Sequence, residues 1–242
     1  MINLLFMMRL TVKYLLKCVM VGLAFIVCFW FLNYPVTTRV GINGVVSQET
    51  IPLYLKGLRF LLRDIEMRKL SHDIIKGKQE KTEKLLSIFQ WTTEHIHHAV
   101  PGLPVIDDHP WSIVVRGYGQ GDQVNDIFSL ICSYAGMEAY YRLFHIQENT
   151  KYALSLVYLD SDWTVFDVWR KTYFVNRDKN FATLDQIKRG DFEIISLEKG
   201  LSFSKRAYQS LFAKPLKHNH AAKRTSLQKP WSRFLWTLKS VF

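Results

Sequence analysis

The chain has 242 residues, of which 48% are hydrophobic and 22% charged. This composition fits one folded domain of moderate size with short additions, and with only three cysteines it excludes a disordered, fibrous or disulfide-built protein. The formal net charge is +11, and residues 199–242 supply ten of those charges because they contain ten basic side chains and no acidic one. The basic character therefore belongs to a C-terminal tail and not to the body of the chain.

The N-terminal part contains an uncharged apolar run, Cys18–Val36. With the residues before it, this run is long enough to cross a hydrocarbon core of ~30 Å at ~1.5 Å per residue. We expect residues 1–36 to be a cytoplasmic stub and a transmembrane signal anchor, with a cleaved signal peptide or a buried helix as alternatives. Because basic residues precede the run at Arg9, Lys13 and Lys17, the positive-inside rule predicts a single-pass protein whose main domain lies on the outer, periplasmic or extracytoplasmic side.

Residues 37–80 are predicted to form a linker and a helix. The polar, glycine-bearing stretch 37–50 is typical of a short linker or an edge strand. Apolar residues then recur at helical spacing at Leu58, Leu61, Leu62 and Ile65. A second helix is predicted from about Lys81 to His98, with Leu85, Ile88, Phe89 and Ile96 on one side.

The segment Ala99–Gln123 has three prolines and four glycines and is predicted to be a long irregular connection of the kind that forms a site. A buried helix over residues 122–135 should follow, with Asp122 as its N-cap and Gly136 at its end. Its apolar residues recur at helical spacing at Val124, Ile127, Phe128, Ile131 and Ala135.

Three apolar runs downstream are short enough to be strands, at Tyr140–Phe144, Ala153–Leu159 and Thr164–Val168. Residues 160–162, with the sequence Asp-Ser-Asp, should join the last two as a hairpin turn. Helices followed by an antiparallel sheet predict an α+β domain.

The order of these elements and four short motifs resemble the transglutaminase-like superfamily, which has the papain-type cysteine-protease core. The resemblance covers about a third of the chain and implies a domain over residues 81–198 with N-terminal helices, a central buried helix and an antiparallel sheet. The motifs are the helix IFQWTTEHI, the loop IDDHPWSIVVRGYGQGDQ, the helix VNDIFSLICSYAGMEA and the hairpin YALSLVYLDSDWTVFD.

The residues at the positions that carry the superfamily's chemistry are altered. Members place a cysteine at the start of the central helix, where the helix dipole stabilises the thiolate, and a histidine that takes the thiol proton. The resemblance puts Gly121 at the cysteine position, Tyr152 at the histidine position and Asp167 at the third. A glycine has no nucleophile, and a phenol of pKa ~10 is a poor base. We therefore expect a degenerate member with no catalytic residues.

Other residues could carry chemistry, but each has a simpler interpretation. His145 is a candidate general base, or a strand-end histidine. Cys132 lies deep in a predicted helix and is interpreted as a core residue. A cluster of histidines could suggest a metal site, although its spacing matches no strong motif, so we predict neither a metal nor a cofactor. Its members are His95, His97, His98 and His109.

Two acidic groups flank the start of the central helix. Asp107, Asp108 and His109 match the loop that accompanies the resemblance, and we expect them to hold that loop over a cleft. Asp122 and Asp126 are four residues apart on one helix face. They could be a carboxylate pair for acid–base chemistry, but an N-cap and a polar contact explain both more simply.

The leading hypothesis is a membrane-anchored, catalytically degenerate protein that binds or scaffolds at the cell envelope. Similar bacterial domains occur beside surface polysaccharide machinery, so the resemblance implies an envelope glycan or a protein of that machinery as partner. The alternative is a hydrolase or transferase that uses His145, Asp167 or a metal site, and a third possibility is an intracellular membrane-surface adaptor. The candidate ligand cleft comprises Asp122, Gln123, Tyr152 and Asp167.

The tail, residues 199–242, combines its ten cations with aromatic side chains. Beyond Pro230 the apolar residues share one helix face, which predicts an amphipathic helix on a membrane surface. A poorly ordered cationic terminus that aids solubility is the alternative. Nucleic acid is not an expected partner because the predicted orientation keeps the tail out of the cytoplasm. The predicted membrane-surface residues are Trp231, Arg233, Phe234, Trp236 and Lys239.

Overall fold

The fold is taken from a computed structural model of the chain. It describes residues 2–42, 45–100, 102, 107–147, 150–212 and 225–241. The chain forms two compact units, Met1–Phe60 and Leu61–Phe242, and each is described by itself.

The first unit contains helix α1 (Ile2–Leu32) and a two-stranded hairpin, β1 (Pro35–Ile42) and β2 (Val45–Pro52). Within α1, the 21 residues Val12–Leu32 have a mean hydropathy of 2.5 and none of the most apolar stretch is buried. This segment is a candidate membrane span by length and composition, criteria that a signal sequence also meets. The prediction of a linker or a single edge strand at 37–50 is wrong, because β-branched residues run along both arms of a hairpin.

Helix α2 (Leu53–Ile75) continues from the first unit into the second. The predicted helix is confirmed, but the apolar residues that predicted it are exposed, and Met67 is the residue of its second half that enters the core beside buried polar residues. Asp64 and Ser71 are both buried, and the Ser71 hydroxyl donates to the carbonyl of Ile131 at 3.2 Å. Helical spacing therefore identified an apolar face that does not face the core.

The other helices of the second unit are short, apart from α3 and α5. The second predicted helix ends at His95 instead of His98, and the predicted irregular loop contains a helix of about two turns, α4. The helices are α3 (Lys81–His95), α4 (Pro110–Arg116), α5 (Gly121–Tyr134), α6 (Leu184–Arg189), α7 (Lys205–Leu211) and α8 (Pro230–Val241).

Five antiparallel strands form the main sheet in the order β5-β6-β7-β8-β9, and two short strands, β3 and β4, pair in parallel. The predicted hairpin between β6 and β7 is confirmed, because Asp160 and Ser161 both have positive φ, as a two-residue type I′ turn requires. The strands are β3 (His97–His98), β4 (Tyr118–Gly119), β5 (Glu138–Gln147), β6 (Thr150–Leu159), β7 (Asp162–Asp167), β8 (Thr172–Val175) and β9 (Glu193–Ser196).

Helix α5 is the central element of the core and packs against β5 and β6. Of its predicted apolar face, four residues are buried and Ala135, the C-cap, is partly buried. The ring of Phe128 lies 5.2 Å from that of Phe166 on β7 and 6.2 Å from that of Phe89 on α3. The predicted α+β class, with a buried helix against an antiparallel sheet, is confirmed. The predicted N-cap is wrong, since α5 begins one residue earlier and Gln120 is the N-cap in place of Asp122.

The folded body extends into the basic tail. Tyr208 on α7 and Phe212 are buried in an aromatic cluster, with Tyr208 4.7 Å from the ring of Phe174 and Phe212 4.9 Å from the ring of Phe144. The domain boundary that we predicted at residue 198 therefore falls inside the folded unit. Farther on, α8 forms the predicted C-terminal helix, and residues 213–224 lie outside the described part of the chain.

Candidate functional site

An open cleft of about 500 Å³ lies at the start of α5 and includes the positions that the resemblance singled out. Polar and aromatic side chains make up much of its lining. Asp167 is not part of that lining because its side chain is fully buried. The residues that matter for its chemistry are Gln120, Gly121, Asp122, Lys151, Tyr152 and Trp169.

The start of α5 is fixed by the side chain of Gln123. Its Oε1 accepts hydrogen bonds from the backbone N–H of Gln120 at 2.9 Å and from Nη2 of Arg116 at 3.2 Å, and its Nε2 donates to Asp108. This side chain is buried and fully engaged within the protein. Gln123, which we predicted as a ligand contact, instead holds the helix terminus against the preceding loop.

The acidic loop before α4 is held by its own side chains. Asp107 accepts hydrogen bonds from the backbone N–H of His109 and from the hydroxyl of Ser112, both at 2.9 Å. Nδ1 of His109 accepts from the backbone N–H of Trp111 at 3.2 Å. Burial, aided by the charge of Arg63, lowers the pKa of His109 to about 4, so its ring is neutral at pH 7 and can accept that bond. These contacts support the loop-anchoring interpretation.

Gly121, which the sequence resemblance aligned with a nucleophile position, has an indole ring lying against it. A Cβ placed on Gly121 would be 3.4 Å from Cγ and Cδ2 of Trp169, which is ordinary van der Waals contact. The other neighbour of this indole is His98, whose ring stacks on it at 3.6 Å and whose Nε2 lies 2.9 Å from the carbonyl of Trp169. Trp169 thus lines the cleft beside the first residue of α5, Gly121, which has no side chain.

Asp167 is held by three donors. The hydroxyl of Tyr152 lies 2.7 Å from both of its oxygens, the hydroxyl of Tyr208 donates at 2.6 Å, and the backbone N–H of Arg170 donates at 3.1 Å. Burial raises the pKa of Asp167 to about 6, against the opposing effect of the two tyrosine hydrogen bonds. The carboxylate is fully buried, and these three donors come from within the protein.

The two tyrosines at this carboxylate are unsuited to act as bases. Burial, together with the negative charge of Asp167, raises the pKa of both Tyr152 and Tyr208 well above the ordinary value. The guanidinium of Arg170 covers the group, with its Cζ 3.8 Å from the ring centre of Phe203 and 5.6 Å from that of Tyr152. The phenol at the histidine position therefore remains protonated and serves as a hydrogen-bond donor.

The remaining candidates from the sequence do not assemble a second site among the described side chains. Cys132 is completely buried, and burial raises the pKa of its thiol, so it is not an available nucleophile. Asp126 is only 4% exposed, so Asp122 has no accessible carboxylate partner in it. The backbone of His145 pairs with Lys151 in the sheet, and its side chain lies outside the described part.

The histidines at and after the end of α3 make different contacts. The prediction that His97 and His98 continue the helix is wrong, because they form β3, where the backbone N–H of His97 donates to the carbonyl of Gly117 at 2.8 Å. His95 stacks on Trp91 with ring centres 4.6 Å apart. In the portion of the chain that the structure describes, no three His, Cys, Asp or Glu side chains come together as a metal-binding group.

Sequence reasoning did not identify Trp169, Arg170 and Tyr208 as site residues. The first two lie two and three residues after Asp167, so an aromatic residue and an arginine just beyond the W-x-x-x-D motif were an available signal. Tyr208 is 41 residues from Asp167, and it lies in a strongly basic stretch that we predicted as a tail outside the domain. Nothing in the local sequence indicates that its hydroxyl reaches a buried carboxylate.

Comparison with known proteins gives partial likenesses. No protein-family model and no curated protein matches the chain. Among solved structures, the chain is similar to a proposed cysteine protease of Cytophaga hutchinsonii, at 14% identity and a TM-score of 0.39 over 55% of this chain and 47% of that one. It is also similar to a TGase, at 17% identity and a TM-score of 0.37 over 55% and 43%. A third likeness is to a proposed protease of Parabacteroides distasonis, at 11% identity and a TM-score of 0.35 over 69% and 39%.

The chain spans less than half the length of each of these structures.

Proposed function

We propose that the second unit is a non-catalytic ligand-binding domain of the transglutaminase-like type, tethered to a membrane by α1. It serves as a binding or scaffolding component at the cell envelope, with the open cleft at the start of α5 as its recognition site. The observation that carries the proposal is the state of the three inherited positions. Gly121 has no side chain and lies against Trp169, and the hydroxyl of Tyr152 is committed to the buried carboxylate of Asp167.

The energetics of thiol catalysis support a non-catalytic role. Removing one member of a catalytic triad leaves only the ~10³–10⁴-fold effect of binding and oxyanion stabilisation, because the members act as a unit. Both the nucleophile and the base are replaced here. The site therefore has neither the nucleophile nor the base that thiol acyl transfer requires, but it still has an open cleft.

The chemistry of those walls favours a carbohydrate as the ligand. The side chains of Trp169 and Tyr152 supply apolar surface, and the amide of Gln120 and the carboxylate of Asp122 supply hydrogen-bonding groups. A sugar ring matches this combination, since it has apolar C–H faces and a rim of hydroxyl groups. Lys151 adds a positive charge that suits an acidic sugar. An envelope glycan, free or within surface polysaccharide machinery, is the partner that we propose.

Binding measurements test this proposal. The full chain in lipid nanodiscs would be titrated by calorimetry with a hexamer of N-acetylglucosamine, an oligogalacturonate and a casein digest. We expect heat of binding with an oligosaccharide, at least tenfold weaker binding in Trp169→Ala and Gln120→Ala, and no change in the matched control Trp231→Ala outside the cleft. Binding to the peptides alone, or equal losses in the control, would contradict a carbohydrate site.

An activity assay tests the non-catalytic part. We expect no hydrolysis of aryl esters or of casein amides by the full chain, with or without a chelator. Robust turnover that Asp167→Ala abolishes would instead favour the hydrolase or transferase alternative.

The location outside the cytoplasm is also a proposal, supported by the three basic residues before the apolar run. A reporter fused after Phe242 that is active only outside the cytoplasm would test it. A cytoplasmic signal would favour the intracellular membrane-surface adaptor.

A further inference from the structure

The C-terminal helix α8 has an exposed apolar face. Trp231, Phe234, Leu235 and Leu238 follow the spacing i, i+3, i+4, i+7, which places them on one side of the helix. Their exposed fractions are 67%, 51%, 42% and 41%. The rings of the first two stack, with centres 5.6 Å apart. A helix with such a face in water has a surface suited to an apolar partner.

The start of α8 is pinned to the body of the second unit. Nζ of Lys229 donates to the carbonyl of Ser133 at 2.7 Å and lies 5.1 Å from the ring centre of Tyr134. The hydroxyl of Tyr134 in turn donates to Asp64 on α2 at 2.7 Å, and Arg68 pairs with the same carboxylate at 2.7 Å. Burial and the neighbouring charge of Arg68 lower the pKa of Lys229, as expected for an ammonium group packed into this cluster. The helix therefore leaves the body at a fixed point beside α2.

A second exposed apolar face lies next to that point. On α2, Leu61, Leu62 and Ile65 are 49%, 59% and 57% exposed. Arg68 is seven residues after Leu61, two helical turns along the same side of α2. Arg68, whose charge lowers the pKa of Lys229, is thus at the edge of the apolar face of α2. The same cluster that holds the start of the C-terminal helix therefore borders this face.

The charges around these faces indicate what covers them. Residues 199–242 have ten basic and no acidic side chains, and α8 itself has Arg233 and Lys239. Apolar and aromatic side chains flanked by cations match an anionic lipid surface, where the rings enter the headgroup region and the cations meet phosphates. A second copy of this chain would bring the same positive charge against α8 and be repelled.

The chain also carries a helix that could span a membrane. A tether of this kind keeps the body near a bilayer and raises the effective concentration of lipid at any other lipid-binding surface. Weak interfacial contacts that would not hold a free protein on a membrane are then sufficient to orient a tethered one.

We infer that α8 and the apolar face of α2 together form a second membrane contact, which lies on the surface of an anionic bilayer and is separate from the span. This contact is independent of the ligand cleft, so its test does not depend on the proposed carbohydrate binding. Its consequence is an oriented domain attached to the membrane at two places.

Site-directed spin labelling of the full chain tests this inference. Nitroxide labels would be attached singly at Leu235→Cys and Leu62→Cys after Cys18 and Cys28 are replaced by alanine, and Cys132 is buried and unreactive. The matched control is Asp185→Cys, an exposed residue of α6. The protein would be reconstituted into vesicles of phosphatidylcholine alone or with 30% phosphatidylglycerol, and collision rates with oxygen and with a water-soluble nickel chelate would be measured.

In the anionic vesicles we expect both labels to collide at least threefold less with the nickel chelate and more with oxygen than the control label does. The protection should weaken in neutral vesicles and in the double variant Arg233→Glu/Lys239→Glu. Labels at 235 and 62 that stay as accessible to nickel as the label at 185 would overturn the inference. Protection accompanied by dipolar broadening that grows with the protein-to-lipid ratio would assign the face to a second copy and would also overturn it.

Discussion

The buried carboxylate of Asp167 should make the stability of the protein depend on pH in an unusual direction. Its pKa is about 6 in the folded state, because burial disfavours the charge, and ~3.9 in an unfolded chain. Between these values the folded state binds more protons than the unfolded state, so this group's contribution to the free energy of unfolding falls as pH rises from 4 to 6. The contribution is fully present below pH ~4 and absent above ~6.

The size of the effect follows from the displacement of the pKa. A raise of about two units at 1.4 kcal/mol per unit amounts to ~3 kcal/mol across the window. Asp167→Asn keeps the shape of the side chain and removes the titration. The free energy of unfolding of the wild type, minus that of Asp167→Asn, should therefore decrease by ~3 kcal/mol between pH 4 and pH 7.

Urea unfolding of the full chain in mild detergent, followed by near-ultraviolet circular dichroism at several pH values, measures that difference. The difference matters more than the wild-type curve alone, because the lowered pKa of His109 pulls stability the opposite way in the same window. The control is Asp162→Asn, the same substitution at an exposed residue at the start of the same strand. Parallel profiles for the wild type and Asp167→Asn would refute the reasoning.

Three further predictions concern the same region. Tyr208→Phe removes a 2.6 Å hydrogen bond to a buried carboxylate, so we expect the free energy of unfolding to fall by ~1.5–3 kcal/mol at pH 7. The pKa of Asp167 should also rise, so that its effect on stability extends above pH 6 in the same unfolding series. An unchanged upper limit would mean that the bond does not stabilise the charge. The pKa of His109 is about 4 in the folded state and ~6.5 in an unfolded chain, so the protein should lose stability as pH falls through that interval. His109→Asn should reduce this loss while keeping an acceptor for the N–H of Trp111, and thermal melts at pH 4.5 and 7 would measure the difference. Gly121→Ala should change the free energy of unfolding by less than about 1 kcal/mol, because the added Cβ makes ordinary contact with Trp169 at 3.4 Å. A much larger loss in unfolding experiments would show that the indole leaves no room for a methyl group.

Much of the fold follows from local patterns. The 3.6-residue period of Val124, Ile127 and Phe128 predicted a buried helix, and the Asp160-Ser161 turn predicted the hairpin that brings Tyr152 opposite the strand of Asp167. Helical period and turn chemistry act over a few residues, so they can be read without knowing the rest of the chain.

The candidate site could be predicted only in part. The motif spacing placed Gly121, Tyr152 and Asp167 in one region, and the structure links the last two directly. It also shows that Asp167 and Gln123 face inward, as contacts within the protein instead of with a ligand. Whether a polar side chain serves the core or a cleft depends on its partners, and those partners are distant in the sequence.

The sequence by itself determined that the chain has one long apolar helix and an α+β body, and that Gly121 and Tyr152 offer neither a thiol nor an imidazole, because composition, period and residue identity are local properties. Only the tertiary structure decided that Tyr208 completes the shell of Asp167, that Trp169 covers Gly121 and that the apolar face of α2 points outward. The physical reason is that a pattern identifies which face of an element is apolar, whereas what covers that face, and which buried charge a hydroxyl satisfies, is set by chain segments that meet only on folding.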